Sequence, residues 1–279
     1  MKGTVHMLCD YHIHSRMCGD AVGSFEEYIQ CALERGVSEI GFSGHCPQYY
    51  YPPGKRTNMC SIPDHAVGHY LQELELLREN YQKIITVRIG LEIDYIPGKE
   101  KLLRPIIDLY EWDYLLLSVH FLGDWPFDDP AYLPIFHNQN IAEIYRYYYR
   151  ILIQGMLTGW FDIVAHFDLP KKFGHRLAEP ICEEEEALKV CLEKGLTLEM
   201  NTAGFRKPVG EAYPSRAILR KASGLGIPIC LGSDAHRPGE VSQDFDQALV
   251  ILREAGFREL AGFHKRELFR YPIPDGIHL

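Results

Sequence analysis

Short runs of apolar and β-branched residues alternate along the chain with longer segments whose apolar positions recur at helical spacing. The short runs predict seven strands, at residues 5–9, 37–42, 84–91, 114–119, 163–165, 196–200 and 228–231. Strands that alternate with amphipathic helices are typical of repeated βα units around a parallel sheet. The pattern therefore predicts an α/β protein.

Residues that begin and end helices fall between these strands. Ser24 with Glu27 three residues later predicts a capping box, and the helix it opens is expected to stop at Gly36, where a left-handed backbone is easily adopted. Asn140 is expected to begin another helix that runs to about residue 157. These signals support the alternation of helices and strands.

The chain of 279 residues contains no linker and no internal repeat, and its length lies within the range of α/β barrels. Residues 1–279 are therefore predicted to form one domain. Two connections, residues 46–62 and 121–138, are long for loops in a compact domain, and long structured loops usually form lids or binding walls.

The formal net charge of −9 argues against nucleic acid or an anionic membrane as a partner, because both require clustered Lys and Arg. The sequence shows neither a secretory leader nor an apolar stretch of transmembrane length, so a cytoplasmic protein is expected. The eight cysteines form no CxxC pair and are expected to be reduced thiols. The oligomeric state is not predicted by these features.

Histidines and carboxylates cluster where the predicted strands end. His12 and His14 follow the first strand, and two residues spaced by two on an extended segment face the same side, so the pair can bind one metal ion. In an α/β barrel the carboxyl ends of all strands open on one face. Six further residues fall near the ends of later strands: His45, Glu92, His120, His166, Asp234 and His236.

Six segments resemble the PHP (polymerase and histidinol phosphatase) family, and within it the histidinol-phosphate phosphatase branch. They are DYHIHS at 10–15, SGHC at 43–46, GLEIDY at 90–95, SVHFL at 118–122, VAHFDL at 164–169 and GSDAHRP at 232–238. The resemblance spans nearly the whole chain. It implies a distorted, TIM-like (β/α)7 barrel and hydrolysis of L-histidinol phosphate, a step of histidine biosynthesis.

The resemblance also implies a site for two or three divalent metal ions. It assigns the first metal to His12, His14, Glu92 and Asp234, the second to Glu92, His120 and His166, and the third to Asp20, His45 and His236. Asp20 departs from the histidine that other branches often have there. Glu92, Asp234 and His236 are also the predicted catalytic residues.

Mixed imidazole and carboxylate ligands without thiolate suit Zn, Fe or Mn and do not separate them. Two cations that share a carboxylate can deprotonate a water near neutral pH for attack on phosphorus. Phosphate also needs a cationic partner, for which Arg206 is the first choice and Lys171 and Arg237 follow. The expected partner is thus a small phosphate monoester.

The amine and imidazole of histidinol phosphate suggest a role for the loop after His120. Asp124 or Asp128 is a candidate partner for the ammonium group, and Trp125 or Phe127 for the imidazole ring. Two alternatives remain open. The protein could be a phosphoesterase for a nucleotide or phosphotyrosine, or a non-catalytic metal-binding module.

Overall fold

The computed structural model describes residues 7–57 and 59–274, in which strands and helices alternate. The strands are β1 (Cys9–Ile13), β2 (Glu39–Phe42), β3 (Thr86–Asp94), β4 (Tyr114–Ser118), β5 (Phe121–Leu122), β6 (Trp125–Pro126), β7 (Ile163–Val164), β8 (Thr197–Asn201), β9 (Ile229–Gly232), β10 (Glu259–His264) and β11 (Glu267–Pro272). The α-helices are α1 (Phe25–Glu34), α2 (Val67–Tyr81), α3 (Glu100–Ile107), α4 (Ile141–Leu157), α5 (Cys182–Glu193), α6 (Arg216–Leu225) and α7 (Phe245–Ala255).

Seven parallel strands form one sheet in the order β1, β2, β3, β4, β7, β8, β9. The sheet curves until its first and last strands meet, where the backbone N–H of His14 donates to Ala235 O at 3.0 Å and Ala235 N–H donates to His12 O at 3.2 Å. The helices pack outside it. The predicted single-domain distorted (β/α)7 barrel is confirmed, and the segments that join its strands carry the site.

Helix ends agree with the local signals. Ser24 and Glu27 form both hydrogen bonds of the predicted capping box at the start of α1, and Gly36 adopts a φ of 68° just beyond that helix. The side chain of Asn140 accepts a hydrogen bond from Ala142 N–H and caps α4. Local backbone chemistry thus determines where these helices begin.

The first and third strands differ most from the prediction. The first strand was expected at 5–9 but spans Cys9–Ile13, and residues 5 and 6 lie outside the described part of the chain. The third strand was expected to end at 91 but continues to Asp94, so that Glu92 lies within it. The prediction ended both strands where polar residues begin. Asp10, His12 and Glu92 are nevertheless buried, because hydrogen bonds and a metal site can satisfy them.

The opposite, amino-terminal end of the barrel is filled by aromatic side chains. A Cβ at Gly90 would come within 2.7 Å of the ring of Tyr114, so the glycine leaves room for that ring. Phe263 of the β10–β11 hairpin packs 5.8 Å from Tyr11 and 6.3 Å from Tyr114, measured between ring centroids. This end is closed, which leaves the carboxyl ends of the strands as the open face.

All eight cysteines are free thiols, as predicted. Within the described residues, no helix combines the length and the apolar character that a membrane crossing requires.

Candidate metal centre

The barrel brings the nine predicted ligand residues together at the carboxyl ends of its strands. His12 and Glu92 belong to strands, and the others stand in the segments that follow. Two of them, His166 and Asp234, have positive φ values of 28° and 53°, which are uncommon for residues with a Cβ. Such backbone conformations cluster at functional sites.

Glu92 occupies the centre of this group and is almost fully buried. Its Oε2 lies 3.3 Å from His12 Nε2, 3.6 Å from His14 Nε2 and 3.0 Å from His45 Nδ1. Its Oε1 faces the other way, 2.9 Å from His166 Nε2 and 3.5 Å from His120 Nε2. The two oxygens therefore face different histidines, the arrangement that a carboxylate shared by two cations requires.

On the Oε2 side of Glu92, an acidic side chain completes the group assigned to the first metal. Asp234 Oδ1 lies 3.2 Å from His14 Nε2 and 3.8 Å from His12 Nε2. Ligand atoms from His12, His14 and Asp234 all lie within 4.8 Å of one another. This spacing fits three ligands around one ion.

The residues assigned to the third metal lie beside this group. Asp20 Oδ2 is 3.4 Å from His45 Nε2 and 3.5 Å from His236 Nε2. The ring of His14 stacks on that of His236 with centroids 4.0 Å apart, so the two groups adjoin. His14 also falls within ligand distance of Asp20, His45 and His236.

In two histidines, a hydrogen bond on one ring nitrogen leaves the other nitrogen directed at the centre. Nδ1 of His12 lies 2.6 Å from Glu199 Oε1, and Nδ1 of His120 lies 2.8 Å from Asp94 Oδ1. A carboxylate can only accept, so in each pair Nδ1 carries a proton, and Nε2 is the nitrogen that binds a metal when the ring is neutral. This is the usual support of a metal-binding histidine.

Charges within the group shift its pKa values. Burial disfavours the charged form of Glu92, but His45, His12 and His120 outweigh it and hold the pKa of this carboxyl well below its usual range. Burial opposes charge on His120 as well, yet Asp94, Asp128 and Glu92 raise its pKa to about 9. For His14, burial together with His236 and His45 lowers the pKa to about 3. Carboxylates here are charged, and His14 is neutral, as a ligand must be.

The residues present fit a bound metal. His12 Nε2 and both ring nitrogens of His14 are buried without a hydrogen-bond partner, and such atoms are costly unless a ligand satisfies them. Imidazole and carboxylate donors without a cysteine suit Zn, Fe or Mn. The geometry therefore supports a site for divalent cations.

The three predicted phosphate-binding cations lie in different surroundings. Arg206 donates to Ser233 O at 2.7 Å, next to Asp234. Lys171 is buried, with Nζ 2.9 Å from Asp168 Oδ2, and Arg237 is exposed before a short 3₁₀ helix. A cleft adjoins the metal centre, and none of these three residues lines it. Among the described residues its walls contain the cations Lys55, Lys172 and Lys207, which the sequence analysis did not select.

This cleft opens from the metal centre and has a volume of about 710 Å³. Both long connections form its walls, as expected, with Tyr50 and Tyr51 from the first and Phe121 and Tyr132 from the second. Asp128 also lines it, and its carboxylate lies 3.0 Å from Lys172 Nζ.

Three residues of the loop that follows His120 are placed away from the cleft. Asp124 is exposed outside it, and Phe127 is buried against Tyr148, with ring centroids 5.8 Å apart. Trp125 is partly buried against Phe136. An aromatic contact to a bound molecule would therefore come from the tyrosines and Phe121 of the cleft, because Phe127 belongs to the core.

The supporting carboxylates Glu199 and Asp94 were missed by sequence reasoning. Glu199 stands in the middle of the buried strand β8, and only 1% of its surface is exposed. A single acidic residue within a buried strand was the available signal. Asp94 lies two residues after Glu92 and therefore on the same side of β3.

Comparison with known proteins identifies the family of this chain. The model of the PHP domain matches residues 10–203. A protein of Deinococcus radiodurans named "Probable histidinol-phosphatase" is 39% identical over 260 residues, which cover 93% of this chain and 98% of that protein. The histidinol-phosphatase of Bacillus subtilis is 29% identical, over 86% of this chain and 97% of its own length.

A solved structure shares the fold. It is that of histidinol phosphate phosphatase from Lactococcus lactis complexed with zinc, L-histidinol and phosphate. The TM-score is 0.75 at 24% identity, with 94% of this chain and 98% of that chain covered. The family match covers more than half of this chain, and the relative from Deinococcus aligns over almost all of it. The chain belongs to the PHP domain family.

Proposed function

We propose that the protein hydrolyses L-histidinol phosphate to L-histidinol and phosphate, using two or three divalent cations (Zn, Fe or Mn) bound by the nine residues. The observation that carries this proposal is the position of Glu92, whose two oxygens face separate groups of histidines at the mouth of the barrel. The relatives from Deinococcus and Bacillus, whose names refer to histidinol-phosphatase, favour this substrate.

Bound cations would supply an activated water near neutral pH and positive charge for the phosphoryl oxygens. The protein holds the ligand atoms in place before substrate binds. Glu92 is fixed within β3, where its backbone N–H donates to Ser43 O at 3.2 Å and its carbonyl accepts from Cys46 N–H at 2.8 Å. A ligand held in this way loses little conformational freedom on binding.

The cleft supplies charge for the substrate. Lys207 lines it, and Arg206 bonds to Ser233, next to Asp234, so we propose these two as sources of positive charge for the phosphate, whereas Lys172 is paired with Asp128. Asp94, Asp128 and Asp129 line the cleft as well and give it acidic groups for an ammonium. A zwitterionic phosphate monoester carries both complementary charges.

Asp128 is the stronger candidate for the ammonium contact, because it lines the cleft and Asp124 does not. We expect Asp128→Asn to raise KM for histidinol phosphate by about tenfold or more, since hydrogen bonds to charged groups contribute about 1.5–3 kcal/mol. KM for p-nitrophenyl phosphate, which has no amine, should not rise. Asp124→Asn is the matched control. Equal KM values for Asp128→Asn and the control would eliminate this contact.

The proposed substrate is tested by comparing kcat/KM across phosphate monoesters. Histidinol phosphate should exceed p-nitrophenyl phosphate, nucleoside monophosphates and a phosphotyrosine peptide. Equal kcat/KM values for all of them would indicate a phosphoesterase that acts on another substrate. The absence of hydrolysis by metal-loaded protein would indicate a non-catalytic metal-binding module.

A further inference from the structure

Glu199 lies directly behind the metal-facing side chains and is not one of the nine predicted ligands. Its Oε1 lies 2.6 Å from His12 Nδ1. Its Oε2 accepts hydrogen bonds from the backbone N–H of His166 at 2.8 Å and from the side-chain amide of Asn201 at 3.1 Å. One buried carboxylate therefore contacts two of the predicted ligand residues.

Asn201 extends this contact to a third ligand. Its Nδ2 also lies 3.2 Å from Asp234 Oδ2, and its Oδ1 accepts from Ala203 N–H at 2.9 Å. The bond to Ala203 fixes which end of the amide is the oxygen, so the amino group must face Glu199 and Asp234. The network thus connects His12 and Asp234, which are assigned to the first metal, with His166, which is assigned to the second.

The bond to Glu199 also selects one form of the His12 ring. A carboxylate accepts and does not donate, so Nδ1 of His12 carries a proton in this pair. The opposite nitrogen, Nε2, lies 3.3 Å from Glu92 Oε2 and 3.8 Å from Asp234 Oδ1, and it has no hydrogen-bond partner. In the neutral ring, the lone pair on Nε2 is then directed at the metal site.

Gly232 provides the room for this pair. A Cβ at Gly232 would collide with Glu199 Oε1 and lie 2.8 Å from His12 Cβ. Gly232 ends β9, the neighbour of β8 in the sheet. The close approach of carboxylate and imidazole therefore depends on a residue without a side chain at this point.

We infer that Glu199 is a positioning residue that holds His12 with Nε2 toward the metal. It also fixes the position of His166 directly and that of Asp234 through Asn201. The inference rests on the metal-dependent function proposed above. It assigns the strength of metal binding partly to a residue that does not touch the metal.

Glu199→Gln tests the inference with little change in shape. The single oxygen of glutamine is needed by His166 N–H and Asn201, so its amino group would face His12 Nδ1. That nitrogen would then have to accept, which places the proton on Nε2, the metal-facing atom. We expect at least one zinc ion per chain to bind about 10- to 100-fold more weakly, measured by competition with a chromophoric chelator.

Proton NMR of the zinc-loaded protein gives a second readout that involves no substrate. The wild type should show a downfield Nδ1–H resonance from His12, and Glu199→Gln should lack it. Asp94→Asn is the matched control, since it makes the same change beside His120. It should weaken zinc binding and keep the His12 resonance. Gly232→Ala displaces the carboxylate without removing it and should also weaken zinc binding. This variant provides the test if Glu199→Gln does not fold.

Zinc affinity of Glu199→Gln within twofold of the wild type, or persistence of the His12 resonance, would overturn the inference. Neither measurement depends on histidinol phosphate. A wild type that binds zinc but fails to hydrolyse this ester would refute the proposed function and leave the role of Glu199 intact.

Discussion

Glu92→Gln should lower kcat for histidinol phosphate by at least about 10³-fold, because a Lewis-acid cation contributes several kcal/mol and each 1.36 kcal/mol is a factor of ten in rate. The substitution removes the charge that faces five histidines and leaves an amide that can offer only one oxygen. We expect metal content to fall together with kcat. Phosphate release and elemental analysis of the purified variant measure the two effects.

Glu39→Gln is the matched control for this variant. Glu39 is also a buried glutamate on a barrel strand, but it lies at the amino-terminal end of β2, where it bonds to Tyr11 and to Arg88. The control should lose stability and keep its metal and its kcat. If Glu92→Gln kept metal content and kcat near those of the wild type, Glu92 would not be the shared ligand.

Removal of metal should have an effect of similar size. We expect dialysis against a chelator to lower phosphate release by at least about 10³-fold and added Zn, Mn or Fe(II) to restore it. Magnesium should restore less, because it prefers oxygen ligands and the site offers six imidazoles. Full activity after chelation, in protein shown to be free of metal, would contradict the proposal.

Metal binding at pH 7 should also release protons. Burial opposes charge on His45, but Glu92 and Asp20 raise its pKa well above the usual value, and the pKa of His120 is raised to about 9. Both rings are therefore protonated at pH 7 without metal, and each must lose its proton to bind. Affinity should fall as pH falls. Zinc titrations by calorimetry in buffers of different ionisation enthalpy measure the protons released.

The sequence predicts the barrel and the location of its site because both follow from periodic signals. Predicted ligand residues such as His120 and His166 stand just after apolar strands, and parallel strands end on one face. The nine residues selected in this way lie together in the structure. Their roles as ligands remain predictions.

What the sequence did not reveal depends on contacts between distant segments. Glu199 is 187 residues from His12, and no local pattern indicates that a buried strand places them 2.6 Å apart. Phe127 and Lys172 show the same limit. The loop sequence does not reveal that Phe127 turns into the core, or that Lys172, next to the selected Lys171, is the one that lines the cleft. Side-chain direction in loops is determined by packing.

Anomalous diffraction from crystals of zinc-loaded protein tests the central claim most directly. We expect zinc peaks between the two faces of Glu92, with His12 and Asp234 bound to one ion and His166 bound to another at roughly 2.0–2.2 Å. Zinc peaks found only at other surfaces, with Glu92 and its histidines bound to none, would contradict the account.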